Sequence, residues 1–498
     1  MTDQPPMSDQ PTNDPLADDR TDAPRTNDQS ALRIAPPPFL ADAAFAALLA
    51  ALPDARLVGG AVRDALANRP IADIDLATKL PPTEVMAALQ RSGIRAVPTG
   101  LAHGTVTAVL DAPGFPPDDP QSGPPAGRLG GGLRDAPPGG RRSVEITTLR
   151  RDVATDGRHA TVAFTDDWRQ DAARRDFTIN AMSMTRDGTV HDYFGGVADL
   201  RAGVLRFVGD PARRIAEDTL RVLRYFRFFA RYAAMPPEPS VRAALQAGIP
   251  NLENLSAERV WSELLRILAA PEPGAAVALM VELGILDAVI PEGADPVALA
   301  RLLAAEAPAD PLLRLAGLLT GEVEPFADRL RLSAAERQRL VGLRTTPLAH
   351  PEDDDATLRR LLADHDRAAL IDRTWLVPTS FPTGIPTGVP NRIPNVVPTA
   401  VPTGLAHDLP APAAEPAWIS LRARLARLPR PVFPLEGRDV LALGEPPGPS
   451  VGALLRATRA WWLEGGCTGG VEACRAELAR ALARTDAPGD HAQRGDRA

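Results

Sequence analysis

Two adjacent glycines that separate a short apolar run from a helical one, with a pair of aspartates close behind, sharply restrict how residues 55–79 can fold. The run is Leu57-Val-Gly-Gly-Ala-Val-Arg-Asp64, and Asp73-Ile-Asp75 follows nine residues after Asp64. The pattern predicts a strand at Ala55–Val58, a tight turn at Gly59 and Gly60, a helix from about Ala61 and a second strand carrying Asp73 and Asp75. Side chains at i and i+2 of a strand face the same way, so the two carboxylates project together. Paired carboxylates raise one another's pKa unless a cation joins them, and Mg2+ takes oxygen ligands of this kind when it also holds substrate phosphates. Gly59 and Gly60 let the backbone come close to a ligand, the following helix start offers N–H groups to an anion, and Arg63 adds a forked donor for phosphate oxygens. Asp73 and Asp75 are therefore read as a pair suited to a divalent metal ion.

The flanking sequence extends this unit. Phe39–Leu52 is helical in pattern, and Pro81-Pro82-Thr83-Glu84 opens another helix. The order βαβα suggests an α/β arrangement. Thr105–Leu110 and Ser143–Leu149 alternate like paired strands, although a long stretch rich in Gly, Pro and Asp separates them. That stretch, about 111–142, reads as an insertion at a hairpin tip. Glu145 on the second of these strands is a possible third carboxylate, or an outward-facing residue.

From about Pro211 to Pro347 the pattern is helical, with start signals at Ser256-Ala-Glu-Arg and Ser333-Ala-Ala-Glu. Within it, Glu217-Asp-Thr-Leu-Arg-Val-Leu-Arg-Tyr-Phe-Arg227 places Arg221, Arg224 and Arg227 at every third position. Leu220, Leu223 and Phe226 keep the same spacing, so an arginine stripe borders an apolar one and is expected to line a cleft, with Glu217 pairing to Arg221.

Composition marks the segments outside this frame. The 52 prolines and 39 glycines among 498 residues exceed the usual share. Residues 1–36 are polar and acidic and read as a disordered tail, 377–412 repeat a Pro-Thr unit incompatible with helix or central strand, and 486–498 are polar again. Replacing 377–412 by a short Gly/Ser linker is expected to leave the fold and Tm largely intact; a large drop in Tm would show that the segment packs. The net charge of −8 hides local differences: residues 1–30 carry seven Asp against Arg20 and Arg25, giving −5, whereas 201–231 carry eight Arg against Asp210, Glu217 and Asp218, giving +5. A basic face for nucleic acid survives the total. Cys467 and Cys474 are too few for a disulfide framework, and no apolar run approaches the ~18 residues of a membrane span, so a cytoplasmic protein without a membrane partner is expected. His365-Asp366 has too few potential ligands around it for a hydrolase centre and is read as surface.

Taken in order, LVGGAVRDAL, DIDLAT, GLAHGTVTAVL, VEITTLRRDV, RRDFTINAMSM, DYFGGVADLRAGVLRFVG, RIAEDTLRVLRYFRF and LSAERVWSELLRIL resemble the class II CCA-adding tRNA nucleotidyltransferase and bacterial poly(A) polymerase family, a branch of the polymerase-β-like nucleotidyltransferases. The resemblance is strong over about 55–268 and returns weakly at Gly437-Arg-Asp-Val-Leu-Ala-Leu-Gly and Pro447-Gly-Pro-Ser-Val-Gly452. It implies an α+β chain: a nucleotidyltransferase head at 37–185, a neck at 186–270 that recognises the base, a helical body at 271–376 and a tRNA-binding helical tail at 413–485. It further implies Mg2+ on Asp73 and Asp75, and Gly60, Arg63, Arg175, Arg221 and Arg224 around the nucleotide. Asp218 and Arg221 would read the base, with Arg227 a lesser neighbour. The implied substrates are CTP, ATP and the tRNA 3′ end, with no obligate protein partner. The same motifs serve poly(A) polymerases and enzymes adding only A or only CC. A catalytically silent RNA-binding relative is disfavoured by the intact carboxylate pair.

Overall fold

A computed structural model describes residues 32–71, 73–111, 141–155, 160–377 and 415–485. The tail at 1–31, nearly all of the hairpin insertion and of the Pro-Thr segment, and 486–498 lie outside the described residues.

The head begins with a 3-10 turn and helix α1 (Ala43–Ala51), started by Asp42, whose carboxylate accepts from the Ala44 and Phe45 N–H groups. The expected helix over Phe39–Leu52 is thus two pieces, because Asp42 is extended and caps the second. Strand β1 (Arg56–Val58), helix α2 (Gly60–Leu66), strand β2 (Asp75–Thr78) and helix α3 (Pro82–Arg91) follow in the expected order. Asp73 lies just before β2 rather than within it. The pairing explains this: Val58, the last residue of β1, faces Asp75, and on the other side Asp75 faces Glu145, so the ladder begins at Asp75.

Strands β3 (Arg95–Gly100), β4 (Thr105–Asp111) and β5 (Arg141–Thr148) extend the sheet, and β4 and β5 pair antiparallel from Thr105↔Thr147 to Asp111↔Arg141. The alternation read from sequence is a true hairpin, and its described strands reach Asp111 and Arg141. A separate ribbon, β6 (Arg150–Thr155) with β7 (Ala160–Phe164), leads into α4 (Trp168–Ala173), and β8 (Met182–Met184) and β9 (Val190–Asp192) complete the sheet. Its order is β3-β4-β5-β2-β1-β8-β9, with β2–β5 parallel and the remaining neighbours antiparallel. The mixed sheet is the α+β arrangement rather than the all-parallel one that βαβα order alone would suggest. It runs past residue 185, since β9 belongs to it and Arg33 bridges to Thr189.

After α5 (Gly196–Ala202) the chain is helical: α6 (Pro211–Glu217), α7 (Arg221–Tyr232), α8 (Pro239–Ala247) and α9 (Ala257–Leu268) pack into one apolar core with the helices up to Leu343. Leu220, Leu223 and Phe226 of the expected apolar stripe are all buried there. Ser333 forms a full capping box with Glu336, while Ser256 stands at the start of α9 without a side-chain cap bond. His365 closes one helix and Asp366 caps the next, accepting from the Ala368 and Ala369 N–H groups, so the pair marks a helix junction. Cys467 and Cys474 are free thiols packed in the core of the last helices.

Candidate active site

The turn between β1 and α2 is built for close approach. Gly59 has φ of +66°, and a Cβ there would lie 3.0 Å from Arg175 Nη1. Arg175 comes from the loop after α4; its Nη2 donates to Asp171 Oδ2 at 3.3 Å and its Nη1 to the Asn180 carbonyl at 3.4 Å. Asp171 is buried, which works against its charge, but Arg174 and Arg175 hold its carboxyl below the ordinary carboxylate range.

Asp75 stands at the edge of this turn, its pKa pushed up to about 6. Crowding by the surrounding protein is the leading cause, Glu145 on β5 the second, and Asp73 adds further like charge while Arg175 opposes both. The side chain keeps access to solvent, so the repulsion from Glu145 and Asp73 is the firmer reason for the direction. An all-oxygen donor set at an accessible strand end, held in mutual repulsion, fits a hard divalent cation. Among the described residues no three His, Cys, Asp or Glu side chains form a complete metal-binding group.

Arg63 occupies a different place from the one its sequence position suggested. It is 8% exposed, donates from Nη1 to Asn180 Oδ1 at 2.6 Å and from Nε and Nη2 to Asp64 at 3.0 Å, and stacks 4.4 Å above the Tyr232 ring. Its fork is engaged by protein, and Gly60, beside it, opens α2. Asn180 in turn donates to Asp176 Oδ1 at 3.0 Å, and Asp176 Oδ2 accepts from both Nε and Nη2 of Arg224. Tyr232 closes the far end, its hydroxyl donating to Asp64 at 2.7 Å. A continuous polar chain thus joins α2, the RRDFTIN segment and α7.

Asp176 is buried, which opposes its charge, yet Arg224 and the Asn180 amide hold its carboxyl far below the ordinary value. Asp176→Asn is expected to destabilise the protein by about 3 kcal/mol, since removing one member of a buried pair strands the other charge. Because the folded pKa is depressed, this stabilisation is present above the unfolded value near ~4 and is lost as pH falls below it. Urea denaturation of wild type and variant between pH 7 and pH 3 checks both statements.

The remaining arginines of α7 flank Arg224. Arg221 donates from Nη1 to Glu217 Oε2 at 2.6 Å, as its spacing predicted, and to the Arg214 carbonyl at 2.8 Å. Among the described residues its Nη2 has no partner. Arg227 pairs with Glu263 on α9 at 3.3 Å. Burial, with Arg224 beside it, pulls the Arg227 guanidinium down to about 9, still charged at neutral pH. The three arginines are half-buried, each facing a carboxylate: Glu217 four residues before Arg221, and Asp176 and Glu263 from distant segments for Arg224 and Arg227.

Asp218 lies in a break between α6 and α7, not within one helix spanning 217–227. Its backbone is extended (φ −155°), and its carboxylate accepts from the Leu220 N–H at 3.1 Å, a local bond that competes with helix continuation. Oδ2 accepts from Arg259 Nη2 at 2.7 Å. Each carboxylate oxygen retains a second lone pair, so Asp218 can still accept from a base. Asp64, Asp176, Asn180, Tyr232, Arg259 and Glu263 were given no role by sequence reasoning. The four-residue spacing of Asp176 and Asn180 inside a motif already singled out was the available signal for two of them.

Comparison with known proteins agrees with this geometry. Residues 55–115 and 136–206 match the family described as the poly A polymerase head domain. Over those residues the head is similar to the poly A polymerase head domain. Residues 116–135, within the insertion, fall outside the match, and residues 234–295 match a second family, the probable RNA and SrmB-binding site of polymerase A. The chain is 42% identical over 233 residues to the mitochondrial CCA tRNA nucleotidyltransferase 1 of Danio rerio, covering 46% of this chain and 47% of the relative. It is 35% identical over 241 residues to the CCA-adding enzyme of Anoxybacillus flavithermus, covering 48% and 52%. The matched part thus spans about half the length of these curated relatives. In fold the chain is similar to the Bacillus stearothermophilus CCA-adding enzyme solved in complex with CTP, with a TM-score of 0.59 at 24% identity, over 89% of this chain and 98% of the other. The β1–α2 turn, Asp73, Asp75 and the RRDFTIN segment all lie in the matched spans.

Proposed function

We propose that this chain is a template-independent nucleotidyltransferase that adds C and A from CTP and ATP to the 3′ end of tRNA and releases pyrophosphate. The observation that carries the reading is the open carboxylate pair at the start of β2, held beside Arg175 and the Gly59-Gly60 turn, with the RRDFTIN segment bonded through Asp176 to Arg224 of α7. The names of the relatives and of the similar structure support CCA addition over poly(A) synthesis.

In this reading Asp73 and Asp75 hold Mg2+, which when bound would activate the terminal 3′-hydroxyl and steady the leaving pyrophosphate. Arg175 lies where it can neutralise triphosphate charge, with Asp171 fixing its orientation. Gly59 and Gly60 keep side chains away from the approaching phosphates. Asp218 accepts from the base amino group and Arg221 donates to the ring nitrogen. Buried polar groups left unpaired by a wrong base supply the discrimination. The reading domains are head 37–185, neck 186–270, body 271–376 and tail 413–485, with tRNA affinity spread over the arginines of neck and tail. No described helix is long and apolar enough to cross a membrane, and both cysteines are free; a reducing compartment, the cytoplasm, suits them.

Incubation of the protein with tRNA ending at the discriminator base, with each nucleoside triphosphate alone and together, tests the proposal. Sequential C, C and A addition that then stops is expected. Runs of A would favour poly(A) synthesis, and no extension by any nucleotide would remove the enzymatic reading.

A further inference from the structure

A second cationic recess lies at the opposite ends of the elements that carry the catalytic carboxylates. Strands β1 and β2 run antiparallel, with Val58 facing Asp75 and Arg56 facing Ala77. Asp75 and Gly59 therefore mark one end, and Arg56 and Lys79 the other, about 10 Å away at ~3.3 Å per residue. At that far end Arg56, Lys79, Trp168 and Arg186 line a cavity of about 460 Å³, together with Asp54 and Asp187. This volume is within the ~300–1,000 Å³ range of small-ligand sites.

The charge around the cavity is unbalanced. Among the described residues no carboxylate pairs with Arg56, Lys79 or Arg186. Arg56 lies 4.1 Å from the Trp168 ring centroid, which fixes its plane, and its Nη1 is a buried donor without a hydrogen-bond partner. A stranded buried guanidinium nitrogen costs free energy that an anion would recover. Of the two acids, Asp187 is already committed: it accepts from the Thr185 hydroxyl at 2.5 Å and the Thr189 hydroxyl at 2.9 Å, and pairs with Arg33 at 3.5 Å. Asp54 alone then opposes three cations. Lys79 is also the chain's single lysine among basic residues that are otherwise arginine.

We propose that Arg56, Lys79 and Arg186 form a second anion site that binds a small phosphate-bearing molecule on the far side of the head, separate from the catalytic recess. The proposal holds whichever nucleotide the catalytic site transfers. The phosphate group is the recognised feature, whether it belongs to inorganic pyrophosphate or to a nucleotide.

Calorimetric titration of the full chain in EDTA, with pyrophosphate, adenosine monophosphate or adenosine as titrant, tests it. One equivalent of pyrophosphate and of adenosine monophosphate is expected to bind, and adenosine to leave no signal. Lys79→Glu combined with Arg186→Glu is expected to weaken binding at least about tenfold, because two charged donors to the phosphate are replaced by charges that repel it. Both side chains are exposed, so Tm should match wild type; the single Lys79→Gln variant repeats the test should the double one fold poorly. Arg175→Ala should keep the binding. Absence of saturable binding, unchanged affinity in the Lys79 variants, binding of adenosine as tight as that of its monophosphate, or loss in Arg175→Ala would each overturn the site.

Discussion

Replacing Asp75 by alanine is expected to lower nucleotide addition at least about a thousandfold while leaving tRNA affinity within about twofold of wild type. A metal-held transition state draws several kcal/mol from its ligands, and each 1.36 kcal/mol is tenfold in rate, so losing one of two carboxylates removes roughly three powers of ten. RNA affinity instead comes from phosphate contacts made by arginines elsewhere. Asp73→Ala should behave in the same way although Asp73 lies outside the strand ladder, because it shares the charge environment of Asp75. EDTA should abolish addition by wild type, and excess Mg2+ should restore it. Primer extension at saturating CTP, paired with a filter-binding curve for tRNA, separates the two effects. Turnover near wild type in either variant would remove the metal-ligand assignment, and a parallel loss of tRNA binding would point to a folding defect instead.

What could be read from the sequence divides along a physical line. Features fixed by local chemistry were legible: the Gly59-Gly60 turn before α2, the start of α3 at Pro82, the β4–β5 alternation across its long connection, and the Glu217–Arg221 pair. Partners fixed by tertiary approach were not. Nothing near Arg224 in sequence indicates that Asp176, 48 residues earlier, takes its fork, or that Glu263 faces Arg227 from another helix. Arg63 shows the same limit from the other side. A basic residue after a glycine turn suggests a phosphate ligand, yet the arrival of Asn180 and Tyr232 turns its guanidinium inward. The helix break at Asp218 was hidden for a third reason. Asp and Thr tolerate a helix well enough in sequence, and only the bond from the Leu220 N–H to Asp218 decides for the extended state.

That break sets up the most discriminating test of nucleotide choice. Asp218→Ala is expected to raise incorporation of UTP and GTP relative to CTP and ATP by at least about tenfold, with a smaller loss of overall rate. It removes an acceptor for the amino group that C and A present beside a ring-nitrogen acceptor on their Watson–Crick edge, an arrangement U and G lack there, and an unpaired polar group is worth roughly 1–3 kcal/mol. Part of any rate loss will be structural, because Asp218 also accepts from the Leu220 N–H and pairs with Arg259. Arg259→Ala supplies the control: it breaks the same ion pair while leaving the acceptor in place, so it should slow addition without altering the four-nucleotide ratios. Arg221→Ala should relax selection from the ring-nitrogen side. It also gives up the bonds to Glu217 and the Arg214 carbonyl that join α6 to α7, so its Tm should fall more than that of Asp218→Ala. Competition among the four triphosphates on one tRNA, scored as kcat/KM ratios, reads selection independently of enzyme lost to misfolding. Ratios equal to wild type in both Asp218→Ala and Arg221→Ala, whatever their rates, would make these residues supports of the α6–α7 junction and move base selection elsewhere on α7.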